Sequence, residues 1–208
     1  MVKNLAEPLK QQIKEGVEIL KRGGIIAFPT DTVYCLGAPI FNENAVRRVF
    51  EVKLRPYNMA LPVIMADIAQ IQDVGISLPE VASRLAQKFW PGALTIVIHK
   101  SKKVSDIVTA NKNTIAVRVP NHPIPIALIN GLGFPLIGTS ANVHGKPSPV
   151  TAAEVRAQLG DKVDLIIDGG RCPGGEASTI VDMTGDNPVI LREGPIPFRE
   201  IKRVCKVI

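Results

Sequence analysis

The sequence predicts an α/β domain built on one mixed, twisted sheet with flanking helices. Three observations carry that expectation. Helical and strand-like hydrophobic periods alternate along the chain, and a turn-rich segment near the end joins two strand-like runs into a hairpin. No linker-like composition shift, internal repeat or low-complexity tract divides the 208 residues.

Residues 5–21 place Leu9, Ile13, Val17 and Leu20 on one helical stripe, which Gly23-Gly24 ends. Residues 24–28 follow as a buried strand. The pattern then predicts a helix over 44–53 through Val46, Val49 and Phe50, a strand over 61–65 and a helix over 79–89. Strands at 93–99, 114–119 and 135–138 come next, with helices at 123–130 and 151–159 and a strand at 163–167. Thr184-Gly185-Asp186-Asn187-Pro188 is turn chemistry, so 177–182 and 189–192 pair as a hairpin and add antiparallel strands. A purely parallel sheet is thereby excluded. Residues 100–113 are polar and read as a long mobile loop.

With 46% hydrophobic residues the chain can bury a sizeable core as a single domain spanning residues 1–208. Its longest apolar runs fall far short of the ~20 residues that cross a bilayer, and residues 1–10 lack a signal-peptide core. A soluble, cytoplasmic protein without membrane partners is expected. Cys35, Cys172 and Cys205 form no CxxC pair and His99, His122 and His144 lie far apart, so neither a disulfide framework nor a metal site is legible. The formal charge of +6 favours an anionic partner, which RNA, a nucleotide or a merely solvated basic surface satisfies equally.

Five segments carry candidate chemistry. Pro29-Thr30-Asp31-Thr32-Val33-Tyr34-Cys35 puts hydroxyls and a carboxylate at the carboxyl end of a buried strand, where open α/β sheets form ligand sites; a capped strand-to-helix turn accounts for the same residues. Lys53-Leu54-Arg55-Pro56 leaves two cations in an extended segment, suited to polyphosphate oxygens or, as a basic helix end, to the macrodipole. Thr114, Ala116 and Arg118 share one strand face, and Arg118 needs either a structural or a substrate carboxylate. Ser140-Ala141-Asn142 ends a strand as an anion cradle or an ordinary turn. The glycine run 169–175 fits neither the P-loop nor the dinucleotide spacing, and Ser178-Thr179 and Arg192 follow it.

Together and in order, Pro29-Thr30-Asp31-Thr32-Val33-Tyr34, Lys53-Leu54-Arg55-Pro56, Phe89-Trp90-Pro91-Gly92-Ala93-Leu94-Thr95, Ala116-Val117-Arg118-Val119-Pro120, Ser140-Ala141-Asn142 and Ser178-Thr179-Ile180-Val181-Asp182 resemble the YrdC-like family of threonylcarbamoyl-AMP synthases, in its short single-domain form, over residues 23–195. The resemblance implies a basic concave site with Lys53, Arg55, Ser140 and Asn142 as its catalytic set. It implies Lys53, Arg55, Thr114, Asn142 and Arg192 on ATP, and Thr32, Arg118, Ser140 and Ser178 on L-threonine. Threonine, bicarbonate and ATP, with Mg²⁺, then yield threonylcarbamoyl-AMP and pyrophosphate for N6-threonylcarbamoyladenosine modification of tRNA through downstream threonylcarbamoyl-transfer proteins. The implied chemistry needs positioning and cationic stabilisation but no covalent enzyme intermediate.

The chain departs from the family pattern at four positions. Cys35 stands where the family has Gly, Ile64 where some relatives have His, Met59 where they have Asn and Val150 where they have Thr. A non-catalytic double-stranded-RNA or tRNA-binding module, or a regulatory nucleotide binder, is the competing expectation. Aromatics at 4% argue against a stacking platform for single strands.

Overall fold

The computed structural model describes residues 5–205, and these form one mixed nine-stranded sheet with helices on both faces. In chain order the elements are α1 (Glu7–Lys21), β1 (Ile26–Phe28), β2 (Cys35–Pro39), α2 (Glu43–Lys53), β3 (Val63–Ile64), α3 (Ile71–Val74), α4 (Glu80–Phe89), β4 (Leu94–His99) and α5 (Asp106–Thr109). They continue with β5 (Thr114–Arg118), α6 (Pro123–Leu132), β6 (Leu136–Ser140), α7 (Ala152–Leu159), β7 (Leu165–Ile166), β8 (Thr179–Asp182), β9 (Val189–Arg192) and α8 (Phe198–Lys202). The sheet order is β7-β1-β2-β6-β3-β5-β4-β8-β9. Three pairs, β1/β7, β3/β5 and β4/β8, are parallel and the rest antiparallel, so the expected mixed sheet with its terminal hairpin is present.

Strand alternation sorts side chains between two cores. Ala27, Leu36, Val63, Ile96, Val117, Ile137 and Val181 face a large core that includes residues of α2, α4 and α7. Ile26, Phe28, Cys35, Ile64 and Leu136 point to the opposite face, where α1 and α6 pack. That second core draws on strands β1, β2, β3 and β6 but on no residue of β4, β5, β8 or β9. The opposite face of these last strands carries Thr95, Ala116, Arg118 and Ile180 instead, and it forms the site.

Two expectations are corrected. The segment after β1 is a strand-to-strand turn, because residues 35–37 of β2 pair antiparallel with β1. Gly37 and Pro39 disguise that strand as a breaker. Glycine is required there by packing, since a Cβ at Gly37 would lie 2.5 Å from the Phe28 ring. Residues 100–113 are likewise no free loop: they contain α5, Val104 and Val108 are buried, and Leu61 N–H donates to Val108 O at 2.8 Å. Two apolar anchors among polar neighbours suffice to pin the segment.

Candidate active site

A cavity of about 240 Å³ opens on the uncovered face at the carboxyl ends of β5 and β6. Thr32, Arg55, Arg118, Ser140, Ser178 and Arg192 all line it, so residues up to 160 positions apart in the sequence converge as expected. Lys53, Asn142 and Thr114 are not in its lining.

Arg118 is 6% exposed and held on three sides. Its Nε donates to Gly92 O at 2.8 Å, Nη1 to Thr32 Oγ1 at 2.9 Å and Nη2 to Asp31 Oδ1 at 2.6 Å. The structural carboxylate weighed in the sequence is therefore present, and it is Asp31. Three of the five guanidinium hydrogens are used, which leaves donor capacity for a ligand.

Arg55 reaches the cavity differently. The helix α2 ends at Lys53, and Leu54 turns the chain with φ 51°, after which Arg55 Nε donates to Met59 O at 3.1 Å and Nη2 to Ala60 O at 2.8 Å. Among the described residues no carboxylate pairs with it, and burial pushes its pKa down. A half-buried cation bonded only to neutral oxygens is poised for an anion.

Arg192 owes its direction to a β-bulge. Asp182 pairs with Val189 and Val181 with Ile190, but Ile180 then pairs with Arg192, skipping Leu191. One extra residue moves Leu191 out to 57% exposure and brings Arg192 onto the cavity face. There its Nε and Nη2 donate to Ser178 O at 2.9 and 2.7 Å. Burial and the neighbouring Arg118 charge push its pKa down. The cavity thus gathers three guanidiniums against one carboxylate.

Lys53 corrects the sequence reading most sharply. It is the last residue of α2, 1% exposed, and its ammonium donates to Ser140 O, to Asn142 O at 2.7 Å and to Asn142 Oδ1 at 3.3 Å. The restriction imposed by Pro56 falls on Arg55, so Lys53 stays helical and never enters an extended segment. Its three hydrogens hold the Ser140–Asn142 turn, and His144 N–H returns to Lys53 O at 2.7 Å. Burial, then the nearby Arg55 charge, pushes the ammonium down to about 8.

Asn142 stands behind Ser140. Its Oδ1 accepts from Ser140 Oγ at 2.6 Å, while Nδ2 donates to Val143 O at 2.9 Å and Lys146 O at 2.7 Å. Thr114 shares the face of Arg118 but begins β5, opposite His99; four residues of strand separate the two by about 13 Å. Of the atypical positions, Cys35 and Ile64 line the cavity. Burial pushes the Cys35 thiol up to about 12, so it is no thiolate at neutral pH.

Two polar lining residues, Thr95 and Thr139, belong to segments singled out in the sequence but carried no assigned role. Thr95 alternates with the apolar Leu94, Ile96 and Ile98 and so lies on the opposite face of its strand, the side to which Arg118 points.

The chain matches a family model described as telomere recombination, that of the Sua5, YciO and YrdC proteins, over residues 18–194. It is 41% identical over 202 residues to a threonylcarbamoyl-AMP synthase of Pyrococcus abyssi, covering 97% of this chain and 59% of that one. The chain therefore spans about six tenths of the length of that relative. The structure of P. abyssi Sua5 complexed with L-threonine superimposes with a TM-score of 0.90 at 42% identity, over 92% of this chain and 56% of that one. Escherichia coli YciO superimposes with a TM-score of 0.84 at 32% identity, over 92% and 93% of the two chains. The match runs through every strand of the sheet and every residue that lines the cavity, and the chain belongs to the Sua5/YciO/YrdC family.

Proposed function

We propose that the cavity joins L-threonine, bicarbonate and ATP into threonylcarbamoyl-AMP and pyrophosphate, the adenylate that serves N6-threonylcarbamoyladenosine modification of tRNA. The observation that carries this reading is the charge of the cavity: Arg55, Arg118 and Arg192 converge on it, and among the described residues their sole ion-pair partner is Asp31, held by Arg118. Such a cavity favours substrates that bring several negative charges, as a triphosphate and an amino-acid carboxylate do together. The P. abyssi neighbour holding L-threonine supports the amino-acid half.

In this reading Arg118 takes the threonine carboxylate with its free N–H groups, and Thr32, Ser140 and Ser178 meet the remaining polar atoms. Arg55 and Arg192 hold the triphosphate and stabilise charge that develops at the α-phosphorus and on the departing pyrophosphate. Lys53 and Asn142 act from behind by fixing Ser140. Thr114 is an outlying contact for the far end of the nucleotide. The attacking group is the carboxylate made from the threonine amine and bicarbonate, so no side-chain nucleophile is required.

Magnesium fits as the counter-ion of the triphosphate. Among the described residues no group of three His, Cys, Asp or Glu side chains could hold a metal ion, and Asp31 is engaged by Arg118. A cytoplasmic setting, with tRNA and transfer proteins consuming the product, accords with this chemistry. Among the described residues no helix is long and apolar enough to cross a membrane. The test is pyrophosphate release from ATP, which must require both L-threonine and bicarbonate; release that ignores either one refutes the reading.

A further inference from the structure

The hydroxyl groups around the cavity do not all face it with the same polarity. Thr30 Oγ1 donates to Val33 O at 2.8 Å and accepts from Thr32 N–H at 3.1 Å and Val33 N–H at 3.3 Å, so its own hydrogen is spent and its lone pairs are shared among these groups and the Thr32 hydroxyl 3.0 Å away. Thr32 Oγ1 in turn accepts from Arg118. Ser140 Oγ donates to Asn142 Oδ1, whose amide is oriented by the two carbonyls that take its Nδ2 hydrogens. Toward a ligand, Ser140 therefore offers lone pairs, while Thr32 has one lone pair committed to Arg118.

Ser178 is different. Its Oγ lies 2.7 Å from Thr95 Oγ1 and 3.4 Å from Arg192 Nη2, and geometry alone lets either hydroxyl of the pair donate. Thr95 is 3% exposed, and among the described residues its hydroxyl has no partner but Ser178. A buried hydroxyl hydrogen without an acceptor is costly; both hydroxyls line the cavity, but Thr95 is the deeper at 3% against 7% exposure, which leaves Ser178 to meet the ligand. We infer that Thr95 is a positioning residue that donates to Ser178 Oγ and so turns the Ser178 hydrogen toward the cavity, making Ser178 a donor for a carboxylate oxygen of the amino acid.

The inference rests on L-threonine occupying this cavity. It gives the amino acid one orientation: carboxylate toward Arg118 and Ser178, amine or hydroxyl hydrogens toward Ser140. Nothing in the sequence motif distinguishes these polarities, because each position is a small hydroxyl residue.

Calorimetric titration of L-threonine into wild type, Thr95→Val, Thr95→Ser, Ser178→Ala and the Thr95→Val/Ser178→Ala double variant tests it. Thr95→Val keeps the shape and removes the donor, and threonine affinity falls by about fivefold, the scale of one neutral hydrogen bond. Thr95→Ser restores it, and MgATP affinity is unchanged in both. In the Ser178→Ala background Thr95→Val has no further effect, because its route to the ligand is already cut. Equal losses in both backgrounds, or no loss in a folded Thr95→Val protein, overturn the inference alone. Should Thr95→Val melt at ambient temperature, weak binding by Thr95→Ser overturns it instead. A wild type that does not bind L-threonine overturns the cavity reading and this inference with it.

Discussion

Replacing Arg55 by Ala separates ligand binding from folding more cleanly than any other change at the site. The side chain donates to the carbonyls of Met59 and Ala60, both on the same exposed loop, and among the described residues pairs with no carboxylate. Losing two such partly exposed bonds costs about 1 kcal/mol of stability, which moves the melting temperature of a chain this size by about 2–4 °C. The ligand loses far more. Each charge-assisted bond to a phosphate oxygen is worth about 1.5–3 kcal/mol, or roughly ten- to over a hundredfold in affinity. Calorimetry with MgATP should therefore show at least a tenfold weaker complex for Arg55→Ala, with L-threonine binding within about twofold of wild type. Unchanged MgATP affinity in a folded Arg55→Ala protein would show that the unpaired guanidinium serves the loop and not the nucleotide.

Lys53→Met removes the clamp on the Ser140–Asn142 turn, so threonine and MgATP affinities should fall together; loss of MgATP affinity alone would put Lys53 back on the triphosphate. The Lys53 ammonium is pushed down to about 8 from 10.5, so the folded protein releases this proton before the unfolded chain does. The stability contributed by this group accordingly rises with pH from about 8 toward 10.5, while turnover falls with an alkaline midpoint near 8 as the clamp loses its charge. A kcat/KM profile flat to about pH 10 contradicts that protonation requirement. Arg118→Lys keeps the charge but loses the planar fork that reaches Gly92, Thr32 and Asp31 at once, so threonine affinity should drop while MgATP binding is nearly retained; equal losses measured by calorimetry make Arg118 structural. Cys35→Ser should still form product, since a thiol held up near 12 is no nucleophile; a folded variant that binds both substrates without turnover reopens covalent catalysis.

The five longer helices α1, α2, α4, α6 and α7 and most strands were legible because each buries one face and the hydrophobic period records it, whereas the short α3, α5 and α8 span too few residues to show a period. Strand β2 was not, since Gly37 and Pro39 answer to the Phe28 ring and a tight sheet turn and leave no alternating apolar signal. Among site residues, Arg118 announced itself as a cation amid apolar neighbours, and Thr32, Arg55, Ser140 and Ser178 converge with it as the motif order implied. The bulge that turns Arg192 inward depends on a one-residue slip between β8 and β9, which no local pattern encodes. The inward turn of Lys53 was hidden for a related reason. Its partners are two backbone carbonyls nearly ninety residues away, and backbone acceptors carry no sequence signature.

The central claim is that one cavity brings threonine, bicarbonate and ATP together. Incubating the protein with Mg-ATP, L-threonine and ¹³C-bicarbonate and identifying the adenylates by mass spectrometry tests it most directly. The account predicts threonylcarbamoyl-AMP carrying the label, absent when any one substrate is omitted. An unlabelled adenylate, or a labelled product that forms equally well with amino acids lacking the threonine hydroxyl, would contradict it.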